Sequence, residues 1–232
     1  MSQSSSGPEA WITDPGMPSA CLTFTRSRTP GQVLTAYGAD LQDAHLASRQ
    51  DALVVSRAPE KGSVLRAVQL ADWTLCLEED NILGAMPQAL ASLSKGTETL
   101  CILRGGDGTH RFEHWRSGAL VEAFEPGMAH TRPAAPHPWW DNIERRAAAG
   151  SRQYSTLRYA LQAVGDHIGA AVALRTVTQP MLTVWVPESH EYVEDPPASD
   201  STALGPFLGI ALPTSNSPAP GRGLGRVLPP SE

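Results

Sequence analysis

Apolar runs spaced too closely for any crossover constrain this chain more than any other feature. Residues 64–70 (VLRAVQL) and 73–78 (WTLCLE) are separated by Ala71-Asp72 alone. Residues 99–104 (TLCILR), 109–116 (THRFEHWR) and 119–124 (ALVEAF) are joined by Gly105-Gly106-Asp107-Gly108 and by Ser117-Gly118. A parallel connection needs about a dozen residues or more. Neighbouring runs must therefore pair antiparallel through tight turns, and Gly, Asp and Ser are turn formers. A hairpin and a meander follow.

Further elements fit around them. Residues 20–25 (ACLTFT) alternate as a half-buried strand does. Thr29-Pro30-Gly31-Gln32 then supplies a capping threonine, a proline at the first helical position and a glutamine three residues after the cap, opening a helix that Gly38 ends. Residues 39–62 are polar with weak periodicity and read mainly as loop. Residues 87–95 form a second helix, closed by Gly96. Tyr154, Leu157, Leu161, Val164 and Ile168 step by three and four, the apolar stripe of a helix that covers a sheet. Residues 182–186 make a last strand. The predicted class is α+β: an antiparallel sheet, a meander of five or more strands, with helices packed on one face.

Composition bounds the rest. Of 232 residues 41% are hydrophobic, enough for a core. From position 187 onward nine of the 20 prolines fall in 46 residues without a sustained period. The expected organisation is a disordered tail over 1–10, a single domain over 11–186 and a disordered proline-rich tail over 187–232. Within the second tail, residues 204–212 (LGPFLGIAL) form an apolar island that either docks a partner or packs on the domain. The net charge of −6 offers neither nucleic acid nor an anionic membrane a basic face, so neither is expected as partner. No run reaches the roughly 18 apolar residues of a membrane span, and no leader-like start is seen, so a cytoplasmic protein is expected. Cys21, Cys76 and Cys101 lie far apart in apolar runs and read as buried free thiols.

One set of residues, taken in order, has a family resemblance. It comprises Cys21-Leu22-Thr23-Phe24, Thr29-Pro30, Tyr37-Gly38, Trp73 ahead of Leu77-Glu78, Gly84, Leu93-Ser94-Lys95-Gly96-Thr97, Arg111-Phe112, Ser117-Gly118 and Phe124-Glu125-Pro126. The string resembles an uncharacterised actinobacterial family, domain of unknown function 6461. The resemblance implies no reaction, cofactor or catalytic residue. The chain departs from the family pattern before Arg111, where Gly105-Gly106-Asp107-Gly108 stands in place of an asparagine-rich turn.

Candidate chemistry is sparse. Glu78-Glu79-Asp80-Asn81 is the densest acidic run of the folded region, but residues 82–86 (ILGAM) bring none of the further oxygen ligands of a calcium loop. It reads as a solvated turn. His110 and His114 share a strand face with Phe112, yet four residues along a strand span about 13 Å, too far for one metal ion. Arg111, Glu113 and Trp115 share the opposite face, as a recognition groove or as ordinary cross-strand pairs. Trp139 and Trp140, in His137-Pro138-Trp139-Trp140, are either binding anchors or the dock of a helix on its own sheet. Residues 221–225 (GRGLG) lack the strand and helix of a nucleotide loop, and no G-x-S-x-G or H-E-x-x-H occurs.

No catalytic, cofactor-binding or metal-ligating residue is therefore named, and no cofactor is expected. The leading expectation is a non-catalytic module that binds an unknown protein partner. The alternative is a small-molecule-binding domain or small hydrolase with a pocket between the sheet and helix 154–168. Candidate interaction or pocket residues are Trp73, Glu78, Arg111, His114, Trp115, Trp139 and Trp140. Polar groups converging in one concave site would favour the alternative, and a flat apolar patch the leading expectation.

Overall fold

Tight turns and capped helices appear where local chemistry puts them, on a sheet whose strand order the sequence does not announce. The structure is a computed structural model and describes residues 8–14, 16, 19–56, 61–150 and 155–187. Residues 1–7, Tyr154 and 188–232, with the apolar island, lie outside the described residues.

Strand β1 (Ala20–Arg26) leads to helix α1 (Pro30–Ala36), strand β2 (His45–Ala47) and helix α2 (Arg49–Ser56). The hairpin is β3 (Gly62–Leu70) and β4 (Trp73–Glu79). Helix α3 (Pro87–Leu93) precedes β5 (Glu98–Arg104), β6 (His110–Arg116) and β7 (Ala119–Phe124). Helices α4 (Pro138–Ala149), α5 (Thr156–Ile168) and α6 (Leu174–Thr178) lead to β8 (Met181–Pro187). The eight strands form one antiparallel sheet in the order β2-β8-β3-β4-β1-β5-β6-β7. The α+β class stands, but the sheet is not one continuous meander. β1 lies between the hairpin and the three-stranded β5–β6–β7 meander, and β8 returns to flank β3.

Local signals hold. The Thr29 hydroxyl accepts from the Gln32 amide N–H, and the Gln32 side chain accepts from the Thr29 N–H, which completes the capping box of α1. Ser117 and Gly118 both have positive φ (51° and 85°), as a two-residue hairpin turn whose twist matches its strands requires. The stretch 39–62 is more than loop. It holds β2 and α2, the latter opened by a reciprocal pair in which Ser48 Oγ accepts from the Asp51 N–H and Asp51 accepts from the Ser48 N–H. The N-terminal segment also joins the fold earlier than expected: Glu9 is buried and accepts from the Gln162 side chain.

Helices cover both faces of the sheet rather than one. On the first face Leu22, Phe24, Leu75, Leu100, Ile102 and Phe112 pack against Ile143 of α4 and Leu157, Leu161 and Val164 of α5. On the second, Cys21, Cys76 and Cys101 pack with Leu65 and Val184 against Val33 and Leu34 of α1 and Leu90 and Leu93 of α3. Threonine, cysteine and glutamate alternate with the large apolar residues and make each strand look half-exposed. They are buried too: Thr23, Thr25, Thr74, Glu78 and Thr99 all lie inside. The three cysteines are free and buried, as expected, with Cys21 Sγ 3.7 Å from Cys101 Sγ.

Leu161 is fully buried in the first core. Leu161→Ala is expected to destabilise the protein by about 2 to 5 kcal/mol in a urea titration. A loss near zero would mean that α5 does not anchor this core.

Candidate functional site

Glu98 opens β5 at one end of the sheet, and strand register decides what it meets. Its direct partner on β6 is Arg116, and the next pair is Leu100 with His114. Positions two apart on a strand share a face, so Glu98, His114 and Arg116 all stand on the α4/α5 side. His114 Nε2 lies 2.8 Å from Glu98 Oε1, and an Arg116 Nη is 3.4 Å from the same oxygen. The histidine contact is close but bent away from hydrogen-bond alignment. Helix α5 adds His167, whose Nε2 is 3.6 Å from Glu98 Oε2.

Two tryptophans hold this cluster. The His167 ring meets Trp73 edge-on at 5.5 Å and Trp139 at 5.0 Å, and Trp139 also meets the His114 ring at 6.0 Å. Trp139 is fixed by the start of α4. The backbone N–H groups of Trp139 and Trp140 donate to the two oxygens of buried Glu122, at 3.1 and 2.7 Å. Glu122 stands opposite His114 on β7, so one carboxylate satisfies the first N–H groups of a helix and seats its tryptophan over the cluster.

The Glu98 carboxyl is pushed down to about 2, first by its contact with His114 and then by the charges of His114, His167 and Arg116, against the opposing effect of burial. It is an anion under all ordinary conditions. Its outer side borders an open groove of about 550 Å³, whose lining includes Arg26, Arg28, Gln32, Lys95 and Arg116. Gly96, in the left-handed region at φ 68°, turns the chain out of α3 so that Lys95 and Thr97 border the groove. Arg28 donates through Nε and one Nη to the Leu93 and Lys95 carbonyls, both at 3.0 Å. Arg26 pairs with Asp72 at 3.2 Å, but both side chains are more than half exposed and the pair is weak.

Of the residues singled out from sequence, Trp73, His114 and Trp139 come together here. Glu78, Arg111 and Trp115 do not. Glu78 faces the other core, where it accepts from the Leu83 and Gly84 N–H groups at 3.2 and 2.6 Å and burial pushes its pKa up. A pocket combining Glu78 with His114 is thereby ruled out. Arg111 pairs with buried Glu113, which also accepts from Trp115 Nε1 at 2.6 Å. Trp140 packs edge-on against Phe124 at 5.1 Å in the core. His110 bonds locally to the Thr109 carbonyl, and no metal-holding group of His, Cys, Asp or Glu occurs among the described residues.

Sequence reasoning missed Glu98, His167 and the basic residues of the groove. His167 had a signal, since it stands three residues after Val164 and four after Ala163, on the flank of the apolar stripe. Glu98 had none.

Among known proteins, a family model described as a family of unknown function, DUF6461, matches residues 9–146. The match takes in β1 through most of α4, including Trp73, Lys95, Glu98, His114, Arg116 and Trp139, and stops before α5 and His167. No curated protein and no solved structure matches the chain. No helix among the described residues is long and apolar enough to cross a membrane.

Glu98 contributes stability that is complete above its ordinary value of 4.5 and is lost as pH falls from there toward 2. Glu98→Gln is expected to lower the urea midpoint at pH 7 and to converge with the parent as pH approaches 2. An equal gap at both ends of that range would show that the carboxylate carries no proton-linked stabilisation.

Proposed function

We propose that this chain, which belongs to DUF6461, a family of unknown function, is a cytoplasmic binding module that takes a small polar ligand in the groove beside Glu98. The observation that carries the reading is convergence. Arg28, Lys95, Glu98 and Arg116, drawn from three separate stretches of chain, border one concavity, and the Trp73–His167–Trp139 cluster packs directly behind Glu98. The groove volume of about 550 Å³ falls in the range of small-molecule sites. Three free buried cysteines suit a reducing compartment.

A bound ligand raises the unfolding temperature by mass action, by about 2.7 kcal/mol of stability at a hundred times its dissociation constant. A thermal-shift screen of polar metabolites on the full chain is expected to yield a compound that stabilises the parent, alters tryptophan fluorescence and has no effect on Arg116→Ala. Equal stabilisation of the variant would place binding elsewhere and sink this reading.

A second observation favours a protein partner at the β2 edge of the sheet. β2 is an edge strand, and α2 packs against both it and α6. Leu46, Val54 and Leu174, one from each of these elements, are 73%, 71% and 51% exposed. Apolar side chains grouped at a sheet edge suit strand addition or helix docking by a partner. The double variant Leu46→Asp, Val54→Asp is expected to keep the parent's unfolding midpoint while losing any protein captured by the full chain from host lysate. Undiminished capture would remove this face from consideration.

A further inference from the structure

We infer that the ligand of the Glu98 groove is a small multivalent oxyanion, carrying two or three negative charges on carboxylate or phosphate oxygens. The inference rests on the binding reading above and adds the chemical class. The whole chain carries a net charge of −6, yet this one concavity gathers Arg26, Arg28, Lys95 and Arg116 against a single lining carboxylate. That carboxylate, Glu98, has both oxygens engaged by histidines, His114 on the sheet and His167 on α5. Four basic side chains set against this one carboxylate leave the groove with a surplus of positive charge.

The basic groups differ in what holds them. Arg28 is anchored by two carbonyls at 3.0 Å, which fix the guanidinium without neutralising it. Arg26 is partly answered by Asp72 at the rim. Arg116 is 61% exposed and touches Glu98 only at 3.4 Å. Lys95 makes no ion pair among the described residues. Gln32 accepts from the Thr29 N–H through its Oε1, which leaves its amide N–H groups as what it offers the groove. The lining is therefore rich in donors and poor in acceptors. Planar guanidinium forks match the paired oxygens of carboxylates and phosphates, and an open site of this size admits a compact polyanion more readily than an apolar molecule.

The test uses the full chain at low salt, with pyrophosphate and citrate as anionic probes and myo-inositol as a neutral one of similar size. Binding is read by calorimetry and by amide shifts of residues 95–98 and 116–118. At least one anionic probe is expected to bind there, more weakly as salt rises, with affinity reduced tenfold or more in Lys95→Ala and in Arg116→Ala. Arg175→Ala on α6, an exposed residue outside the groove, is expected to match the parent. The preferred probe distinguishes phosphate from carboxylate. Unfolding midpoints close to the parent's establish that the variants fold. Anion binding unchanged in both groove variants overturns the inference. Binding of myo-inositol without either anion overturns the charge class and leaves the groove as a ligand site. Absence of any shift at tens of millimolar probe overturns the oxyanion inference, while the earlier reading then stands or falls on its own screen.

Discussion

Strand β1 has neither a free edge nor a free face, and the rest of the molecule is arranged around that fact. β4 and β5 pair with it on either side, both antiparallel. They therefore run parallel to each other, and no turn can join them; the chain must cross a face of the sheet, which it does through α3. The path from β1 to β3 crosses through α1 for the same reason. These two crossings cover the second face and bury its cysteines and threonines. They also deliver Arg28 and Lys95 to the place where β1 stops and β5 begins. The groove is a by-product of how a central strand has to be enclosed.

Glu98 sits at the junction of core and groove, and its partners explain how a charged group is tolerated there. An isolated buried carboxylate would be protonated rather than ionised, because desolvation penalises charge. The contact with His114, together with His167 and Arg116 nearby, reverses that outcome and holds the carboxyl at about 2. The comparison with Glu78 is instructive. That carboxyl, one face away, has backbone N–H groups as partners instead of cations, and burial prevails, raising its pKa. The same residue type has its pKa lowered at one site and raised at the other because of what surrounds it. Trp139, one of the two tryptophans bracketing His167, is held by a third carboxylate, Glu122, which caps α4.

Much of the fold was legible because its signals are local. The hairpin, the three-stranded meander, the Thr29 capping box and the long helix of the first core each follow from residues within a few positions of one another. What escaped was either short or disguised. β2 has three residues and α2 a polar first turn, and the pair Ser48 and Asp51 was the one sign of a helix there. The second core was disguised by composition, since alternating Thr, Cys and Glu read as the exposed face of strands that are in fact covered on both sides.

The candidate site was legible only in fragments. Trp73, His114 and Trp139 stand among the seven candidate residues, but so does Glu78, which faces the opposite way from His114. Register settles that point: Glu78 pairs with Cys21, Cys21 with Leu103 and Leu103 with Arg111, which places Glu78 on the odd-numbered face of β6, and His114 on the other. By itself the sequence determined the longer elements, the cap of α1 and the antiparallel sense of strands joined by tight turns, because turn chemistry and periodicity act over a few residues. The tertiary structure alone decided the strand order, the burial of both faces and the meeting of Glu98, His114, Trp139 and His167. Those contacts join residues far apart in the chain, and only register and helix packing bring them within reach.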